Sequence, residues 1–309
     1  MLEFLVRRLL SAILAIWVVI TVTFFVMHAI PGGPFQKDKV LLPAIKENIE
    51  KRYKLNDPLL VQYKDYLGNL LKGDLGPSFK YRGQTVNGII AARFPVSLQL
   101  GLVAFAIAIT LGISAGILAA LNQGRLLDYL TMSFSTLGVS IPSFILGTLL
   151  MLILSYRLGW LPAATWGTPL HIIMPAISLA ALPTAYIARL TRSSMLDVLN
   201  QDYMKTAKAK GLPRRRVVWI HAIKNAIIPV LTYSGPLLAG IITGTFVVEN
   251  IFAVPGLGKH FVTSIYNRDY TVILGMTVFY STFLIGLNML VDIAYSLFDP
   301  RIKLAERKE

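Results

Sequence analysis

The sequence DYMKTAKAKG, at residues 202–211, lies in a basic loop and interrupts an otherwise very apolar chain. Asp202 can cap the start of a helix, because a carboxylate accepts hydrogen bonds from the free backbone N–H groups there. Gly211 suits a left-handed helix end, and Pro213 prevents the helix from resuming. The stretch therefore predicts a short polar helix between two longer apolar segments.

The predicted helix has one small and weakly apolar face. At 100° per residue that face contains Tyr203, Thr206 and Ala207, with Met204 and Lys210 at its edges and with Lys205 and Lys208 pointing the other way. Such a face suits the groove of a partner protein. The alternative is a solvated basic loop that only sets membrane topology, and the spacing alone favours this alternative.

The composition on either side of this stretch indicates a membrane protein. The chain has 309 residues, 55% hydrophobic and 15% charged, and its mean hydropathy of +0.61 is too high for a soluble domain of this length. Six stretches approach or exceed the about 20 apolar residues that a helix needs to cross a bilayer. We therefore predict an all-α integral membrane protein with six transmembrane helices. The absence of cysteine excludes disulfides, thiolate metal sites and cysteine nucleophiles.

Polar segments divide the chain into four predicted parts. Residues 1–30 form an N-terminal transmembrane helix, because a cleaved signal peptide would have a shorter apolar region and a small-residue cleavage site. The other parts are an extracytoplasmic helical segment that ends in an amphipathic elbow (31–96), a core of five helices with a basic loop at 190–225 (97–298), and a cytoplasmic tail (299–309). Within the second part, proline and apolar spacing predict helices over residues 43–51, 58–73 and 85–95.

Two core spans carry recognisable packing signals. The core spans are predicted at residues 97–121, 130–156, 172–190, 226–248 and 272–297. In the first of them small residues recur every four positions, at Ala104, Ala108, Gly112, Gly116 and Ala120. Such a stripe lets another helix pack closely. In the second, Pro142 frees a backbone carbonyl, which fits either a pore lining or a simple kink.

The distribution of positive charge predicts the orientation. The net charge is +14, which in a soluble protein would suggest nucleic-acid binding. Here the short loops on one side carry most of the lysines and arginines, whereas the short loops on the other carry only Arg157, Lys259 and Arg268. Positively charged loops stay in the cytoplasm. Membrane topology therefore explains the charge without nucleic acid, and both termini are predicted to be cytoplasmic.

No catalytic or energy-transducing pattern is present in the sequence. Residues 256–260, GLGKH, are only superficially similar to a phosphate loop, because His260 replaces the Ser or Thr that would bind magnesium. The four histidines lack metal-ligand spacing. Glu249 is predicted at an outer helix end, and no pattern indicates the buried charge pairs of a proton-coupled transporter. A membrane enzyme or a free-standing channel is therefore disfavoured, and a permease driven by a separate ATPase fits.

The loop at 202–211 resembles the EAA motif of ABC-importer permeases, in which Glu-Ala-Ala is followed after three residues by Gly. The matching positions are Lys205, Thr206, Ala207 and Gly211, and the first two depart from the general pattern in the manner of the peptide/nickel branch. Other segments are similar to the same branch and cover nearly the whole chain: NIEKRYKLNDP (48–58), GDLGPSFKY (73–81), RFPVSLQLG (93–101), IPSFILG (141–147), IARLTRSSMLDVL (187–199), FAVPGLGKHFV (252–262), NRDY (267–270) and FDPRIK (298–303). The resemblance is closest to the oligopeptide permeases.

The resemblance implies a type I ABC importer permease fold in the bacterial inner membrane. Its expected role is the membrane pore for oligopeptides, with dipeptides, nickel or another small solute of the same branch as the alternative. The implied partners are a second homologous permease subunit, two ABC ATPase subunits, a peptide-binding protein and membrane lipid. ATP and magnesium would bind to the ATPase subunits, and no cofactor or metal is expected in this chain.

The resemblance also assigns two sets of site residues. The ATPase-coupling helix would comprise Tyr203, Met204, Lys205, Thr206, Ala207, Lys208 and Gly211, within the coupling loop at 190–225. The outer loop that contains Phe252, Pro255, Gly256 and Gly258 would be the docking surface for the binding protein.

Overall fold

The computed structural model describes residues 2–30, 56–81 and 83–298, and these are helical apart from loops and one isolated β-bridge between Pro77 and Thr85. The predicted helix at 43–51 and the tail at 299–309 lie outside the described residues. The helices are α1 (Leu2–Ala29), α2 (Leu59–Leu71), α3 (Val86–Leu121), α4 (Leu126–Ser140), α5 (Ser143–Leu150), α6 (Leu170–Leu199), α7 (Asp202–Ala209), α8 (Arg214–Arg216), α9 (Ile223–Ala226), α10 (Ile228–Thr243), α11 (Phe246–Ile251), α12 (Leu257–Asn267) and α13 (Tyr270–Phe298). Two π-helical turns, Met151–Arg157 and Val217–Ala222, follow α5 and α8.

Five helical segments of the described chain are long and apolar enough to cross a membrane, and a bent pair of helices makes a sixth if the pair counts as one span. That pair joins α4 to α5 and its π-helical extension, with an angle of 104° between them. The predicted span at residues 130–156 is therefore broken at Pro142 more sharply than by a simple kink. Ile141 is extended, with φ −95° and ψ 117°, because the ring of Pro142 excludes the helical conformation from the residue before it.

Prolines elsewhere lie inside continuous helices. Helix α3 continues through Pro95, so the predicted separation of an elbow from the first core span was wrong. Helix α6 runs through Pro175 and Pro183 and continues to Leu199, so the predicted basic loop begins inside a helix. The loss of one backbone hydrogen bond at a proline is tolerated where neighbouring helices surround the backbone. Apolar residues on both sides of each proline allow the helix to continue.

The chain divides into two compact units. The first unit comprises residues 1–95 and 256–286, and the second comprises residues 96–255 and 287–309. In the first unit, the buried cluster joins the start of α3 to α12 and α13 through Val86, Ile89, Leu257 and Met276. Helix α2 lies against α1, where Thr21 Oγ1 and Tyr63 OH are 2.6 Å apart.

A buried carboxylate fastens the loop before α3 to the start of α13 in the first unit. Asp269 is fully buried and accepts hydrogen bonds from the Ser78 hydroxyl, from Phe79 N at 3.1 Å and from Lys80 N at 3.3 Å. Helix α12 ends at Asn267, and the next residue, Arg268, adopts the left-handed conformation just before Asp269. The sequence predicted only a loop over residues 250–271, and α12 was missed.

The second unit confirms the stripe of small residues on α3. A Cβ atom on Gly112 would lie 2.7 Å from the side chain of Ile187 on α6. A Cβ atom on Gly116 would lie 2.6 Å from the carbonyl oxygen of Ala188. Ala104 and Ala108 on the same stripe are fully buried. Helices α3 and α6 therefore approach so closely that no side chain fits between them at the glycines.

Candidate functional site

Helix α7 lies where the sequence predicts it, and it rests on a buried cluster of its own chain. Met204 is fully buried and Ala207 is 7% exposed. They pack with side chains from the ends of α3 and α6 and from the π-helical turn and α9 that follow: Ala120, Met195, Val217, Val218, Ala222 and Ala226. We call these eight residues the support cluster. It connects the short polar helix directly to two membrane-spanning helices.

The outward face of α7 is polar. Tyr203, Lys205 and Thr206 are exposed, and the Lys205 ammonium contacts the Asp202 carboxylate at 2.9 Å. The predicted contact face was therefore wrong in one respect, because Ala207 faces the support cluster and not the outside. The methyl group of Ala207 and the side chain of Met204 supply the apolar surface that holds the helix in place.

The chain leaves α7 through a tight turn. Gly211 has φ +75°, which confirms the predicted left-handed position, and a Cβ atom there would meet no neighbour within 4 Å. The left-handed backbone conformation at position 211, and not a lack of space for a side chain, therefore explains why the residue is glycine. Tyr203 OH accepts a hydrogen bond of 3.0 Å from Asn225 Nδ2, which fixes the start of α7 to the segment that returns into the membrane.

An ion pair joins α4 to α6 close to the support cluster. Arg192 donates from Nε to Asp128 Oδ1 at 2.6 Å and from Nη2 to Oδ2 at 2.7 Å. Asp128 is 3% exposed and also accepts from Gly124 N at 3.0 Å. Two parallel charge-assisted bonds give this contact a defined geometry. The ends of α3, α4 and α6 are thus held together on the side where α7 lies.

The predicted docking residues are mostly inaccessible. Phe252 is 1% exposed and belongs to the core of the second unit, where its ring fills the space beside Gly147. Gly256 and Gly258 are also buried, and Pro255 is half-buried. Three of the four residues are therefore buried within the chain, and the docking role stays a prediction. The reason for the burial is that the left-handed turn at Ala253, with φ 51°, folds Phe252 and Val254 inward.

A cavity of about 460 Å³ lies at the break between α4 and α5 in the second unit. Its wall contains the break itself, Val139–Ser143, together with Pro183 on α6, Tyr233 and Gly240 on α10, and Gly244 directly after α10. A Cβ atom on Gly240 would meet nothing within 4 Å, so the glycine leaves room there. Sequence analysis identified Pro142, but the convergence of residues up to about a hundred positions apart could not be predicted.

Glu249 is a second feature that the sequence did not predict. It is fully buried, and its Oε1 accepts hydrogen bonds of 2.6 Å from both Ser97 Oγ and Thr245 Oγ1. These contacts lie in the second unit and join α3, at Ser97, to α11. Glu249 lies two residues before the end of α11 at Ile251, close to the predicted helix end, but its burial was not predicted.

In the first unit, the ring of His260 lies against Tyr81, with centroids 4.9 Å apart. Burial lowers the pKa of His260, nearby Arg93 lowers it further, and Asp269 acts in the opposite direction. Within the described part of the chain, no three histidine, aspartate or glutamate side chains lie together as metal ligands.

Two families of transport-system membrane components match the chain. Residues 112–304 match the family described as the inner membrane component of binding-protein-dependent transport systems. Residues 1–101 match the N-terminal region described for the membrane component of such systems. Together the two matches span nearly the whole chain.

Full-length relatives carry the names of peptide permeases. The chain is 49% identical over 305 residues to the oligopeptide transport system permease protein OppB of Haemophilus influenzae, which covers 98% of this chain and 100% of that protein. It is 48% identical over 307 residues to the dipeptide transport system permease protein DppB of Bacillus subtilis, with 99% and 100% covered. OppB of Salmonella typhimurium is 46% identical, with 98% and 100% covered.

Solved structures show the same fold at low sequence identity. An inward-facing MetNI methionine ABC transporter chain matches with a TM-score of 0.54 at 16% identity, covering 68% of this chain and 94% of that one. An amino acid ABC transporter matches with a TM-score of 0.51 at 16% identity, covering 70% and 94%. The fold is that of a type I ABC permease, a multi-pass inner membrane component and not an enzyme. The chain belongs to the family of binding-protein-dependent transport system inner membrane components, as its peptide/nickel-branch motifs predicted.

Proposed function

We propose that this chain is a permease subunit of an ATP-driven importer that takes up oligopeptides delivered by a substrate-binding protein. It would act with a second homologous permease subunit and two ATPase subunits, and ATP and magnesium would bind to the ATPases. The relatives named above support peptides as cargo, because both oligopeptide and dipeptide permeases match at nearly equal identity. The family supports the ATPase and binding-protein partners.

The support cluster is the observation that carries the proposed coupling role. The polar outward face of α7, with Tyr203, Lys205 and Thr206 exposed, is the surface offered to an ATPase subunit. Met204 and Ala207 on its opposite face are buried against residues of α3 and α6. Close-packed interiors transmit displacement and do not absorb it. Movement of an ATPase subunit that carries α7 with it would therefore move the ends of both spanning helices.

The proposed cycle needs two arrangements of the same helices. ATP-driven closure of the ATPase pair would pull α7 inward, and the bidentate contact between Arg192 and Asp128 would make α4 follow α6. Transport proteins switch between such packed states and do not deform continuously. The cavity beside the break at Val139–Ser143 is the part of the second unit that would line the peptide path, since unwound backbone is tolerated there only beside protein or water.

The coupling role is tested with a charge reversal on α7. Lys205→Glu reverses an exposed charge whose partner, Asp202, is also exposed, so folding should change little. We expect the reconstituted transporter to lose most of the ATP hydrolysis that the binding protein stimulates. Lys64→Glu is the control, because Lys64 is exposed on α2 in the first unit, outside the coupling loop. Equal activity of the Lys205→Glu transporter and wild type would refute the coupling role.

The cargo is tested by competition. Cells that depend on this transporter take up a labelled tetrapeptide, and unlabelled peptides of two to five residues compete with it. The proposal expects tri- to pentapeptides to compete more strongly than dipeptides. Stronger competition by dipeptides would assign the chain to dipeptide uptake, and uptake of nickel with no effect of any peptide would overturn peptide transport altogether.

A further inference from the structure

A second cavity, in the first unit, is unlike the one beside the helix break. It has a volume of about 430 Å³, within the range of small-ligand sites. Residues of α1, α2, the loop before α3 and the start of α13 form its wall. The first unit lies outside the coupling arrangement described above, so nothing in the proposed cycle accounts for this cavity.

The floor of the cavity is aromatic. Phe24 and Tyr270 are 3% and 7% exposed, and the rings of Tyr66 and Phe79 also line the wall. The Phe24 ring centroid lies 6.1 Å from that of Tyr66. Aromatic faces attract ammonium and guanidinium groups within about 6 Å of the ring centroid.

His28 contributes a hydrogen-bond acceptor to the same wall. Its ring lies 4.2 Å from Phe24, centroid to centroid, and its Nδ1 is 2.8 Å from the carbonyl oxygen of Phe24. A carbonyl oxygen only accepts, so Nδ1 carries the proton of this contact. In the neutral ring the other nitrogen, Nε2, is then an acceptor, which suits a ligand that donates N–H bonds.

The rim of the cavity is acidic, in contrast to the chain as a whole. Asp65 and Asp74 line it together with Gln62 and Asn69, and none of the described lining residues is lysine or arginine. Asp74 Oδ1 accepts from Gly76 N at 2.9 Å, which holds that carboxylate at the entrance. The chain carries a net charge of +14, so carboxylates without a lysine or arginine among the described lining residues are a local exception.

We propose that this cavity binds an organic cation, a guanidinium or primary ammonium group on an apolar stem. The aromatic floor would take the cation and its stem, His28 would accept an N–H bond, and the carboxylates at the rim would attract the charge. Peptides present this chemistry in basic side chains and at the amino terminus. Assigning peptides as the source of the cation rests on the proposed function, whereas binding of the cation itself does not.

The test uses two probes of similar size that differ in charge and in one hydrogen-bonding group. N-acetyl-arginine amide and N-acetyl-citrulline amide have nearly the same shape, but only the first carries a guanidinium. Each is titrated by calorimetry into the full-length chain in lipid nanodiscs. We expect the arginine probe to bind at least about fivefold more tightly than the citrulline probe. Equal affinities, or no binding of the arginine probe, would overturn the proposal without the need for any variant.

Matched variants locate the site. Asp74→Asn removes one rim charge but keeps an acceptor for Gly76 N, and we expect it to weaken binding of the arginine probe about two- to fivefold. Asp197→Asn removes the same charge from an exposed position on α6, in the other unit, and should leave binding unchanged. Equal weakening by both variants would show a general charge effect and would overturn the assignment.

Peptide uptake is measured separately in cells. If uptake is normal but the arginine probe does not bind to the nanodisc-embedded chain, the inference fails and the proposed function stands. If the probe binds but no peptide is transported, the cation site stands, and the proposed function and the peptide origin of the cation both fail.

Discussion

Replacing Gly116 by alanine should destabilise the second unit, because α3 and α6 touch at this position. The new Cβ atom would lie 2.5 Å from the Cβ atom of Thr191 and 2.6 Å from the carbonyl oxygen of Ala188. Ordinary contacts between carbon atoms are about 3.5–4.0 Å, so the overlap is roughly 1 Å. Part of that overlap is with backbone and cannot be relieved by a change of rotamer, so the two helices must separate.

The magnitude follows from two opposing effects. Overpacking of a well-packed core costs about 1–3 kcal/mol. Alanine gains about 1 kcal/mol over glycine in a helix interior. We therefore expect Gly116→Ala to lose about 1–2 kcal/mol of free energy of unfolding. Gly240→Ala is the matched control, since its Cβ atom would meet nothing within 4 Å and only the gain in helix propensity remains.

The measurement is thermal unfolding of the two purified variants and wild type in the same detergent, followed by intrinsic fluorescence and by the monodisperse fraction. We expect Gly116→Ala to unfold several degrees below wild type and Gly240→Ala at or above it. A Gly116→Ala protein as stable as wild type would refute the close approach of α3 and α6. Equal destabilisation by the two substitutions would do the same.

Three further predictions concern buried polar groups. The pKa of His260 in the folded protein lies below its value of about 6.5 in the unfolded chain, so the unfolded chain binds a proton at His260 more readily. The stability of the protein should therefore fall as the pH drops below about 6.5. His260→Gln should flatten the slope of melting temperature against pH. Burial raises the pKa of Tyr66, and its hydroxyl is buried without a hydrogen-bond partner among the described residues; Tyr66→Phe should stabilise the protein by about 1 kcal/mol, and a loss of stability would contradict this. Arg192→Met should cost about 2 kcal/mol in the same melting assay, because Asp128 stays buried without its cation, and adding Asp128→Leu should recover at least half of that loss.

Helix positions and the packing stripe could be predicted because they depend on local sequence. Apolar length gave most of the membrane spans, and the four-residue spacing of small residues marked the contact between α3 and α6. Asp202 at one end, and Gly211 and Pro213 at the other, located the short helix α7. These signals act within one or two turns of chain, so a single sequence contains all of the information they need.

Long-range pairing could not be predicted. Asp128 and Arg192 are 64 residues apart, and Ser78 and Asp269 are 191 residues apart. Nothing in the local pattern of either partner distinguishes a buried carboxylate from an exposed one. The inward turn of Phe252 was missed for the same reason, because only the tertiary fold decides that an aromatic residue in a loop fills the space beside Gly147.

The effect of proline was predicted too simply. Proline predicts a break through its missing N–H group and its ring. Pro142 produces one, whereas Pro95, Pro175 and Pro183 do not. The difference lies in the neighbouring packing, which gives the unpaired backbone carbonyl new hydrogen-bond partners in some places and not in others. A sequence-based boundary at a proline is therefore least dependable within a membrane.

Because α6 continues as one helix to Leu199, it fixes the direction in which Met195 points within the support cluster. Its 30 residues extend about 45 Å, whereas the apolar interior of a bilayer is about 30 Å thick, so roughly 15 Å of helix projects from it. Met195 lies on the projecting part, at a fixed height and azimuth relative to the membrane. Inserting one residue between positions 190 and 194 would turn Met195 by about 100° away from α7, while inserting four would return it to within about 40°. A flexible linker at this position would tolerate both insertions equally. A continuous helix would tolerate the four-residue insertion better than the one-residue insertion.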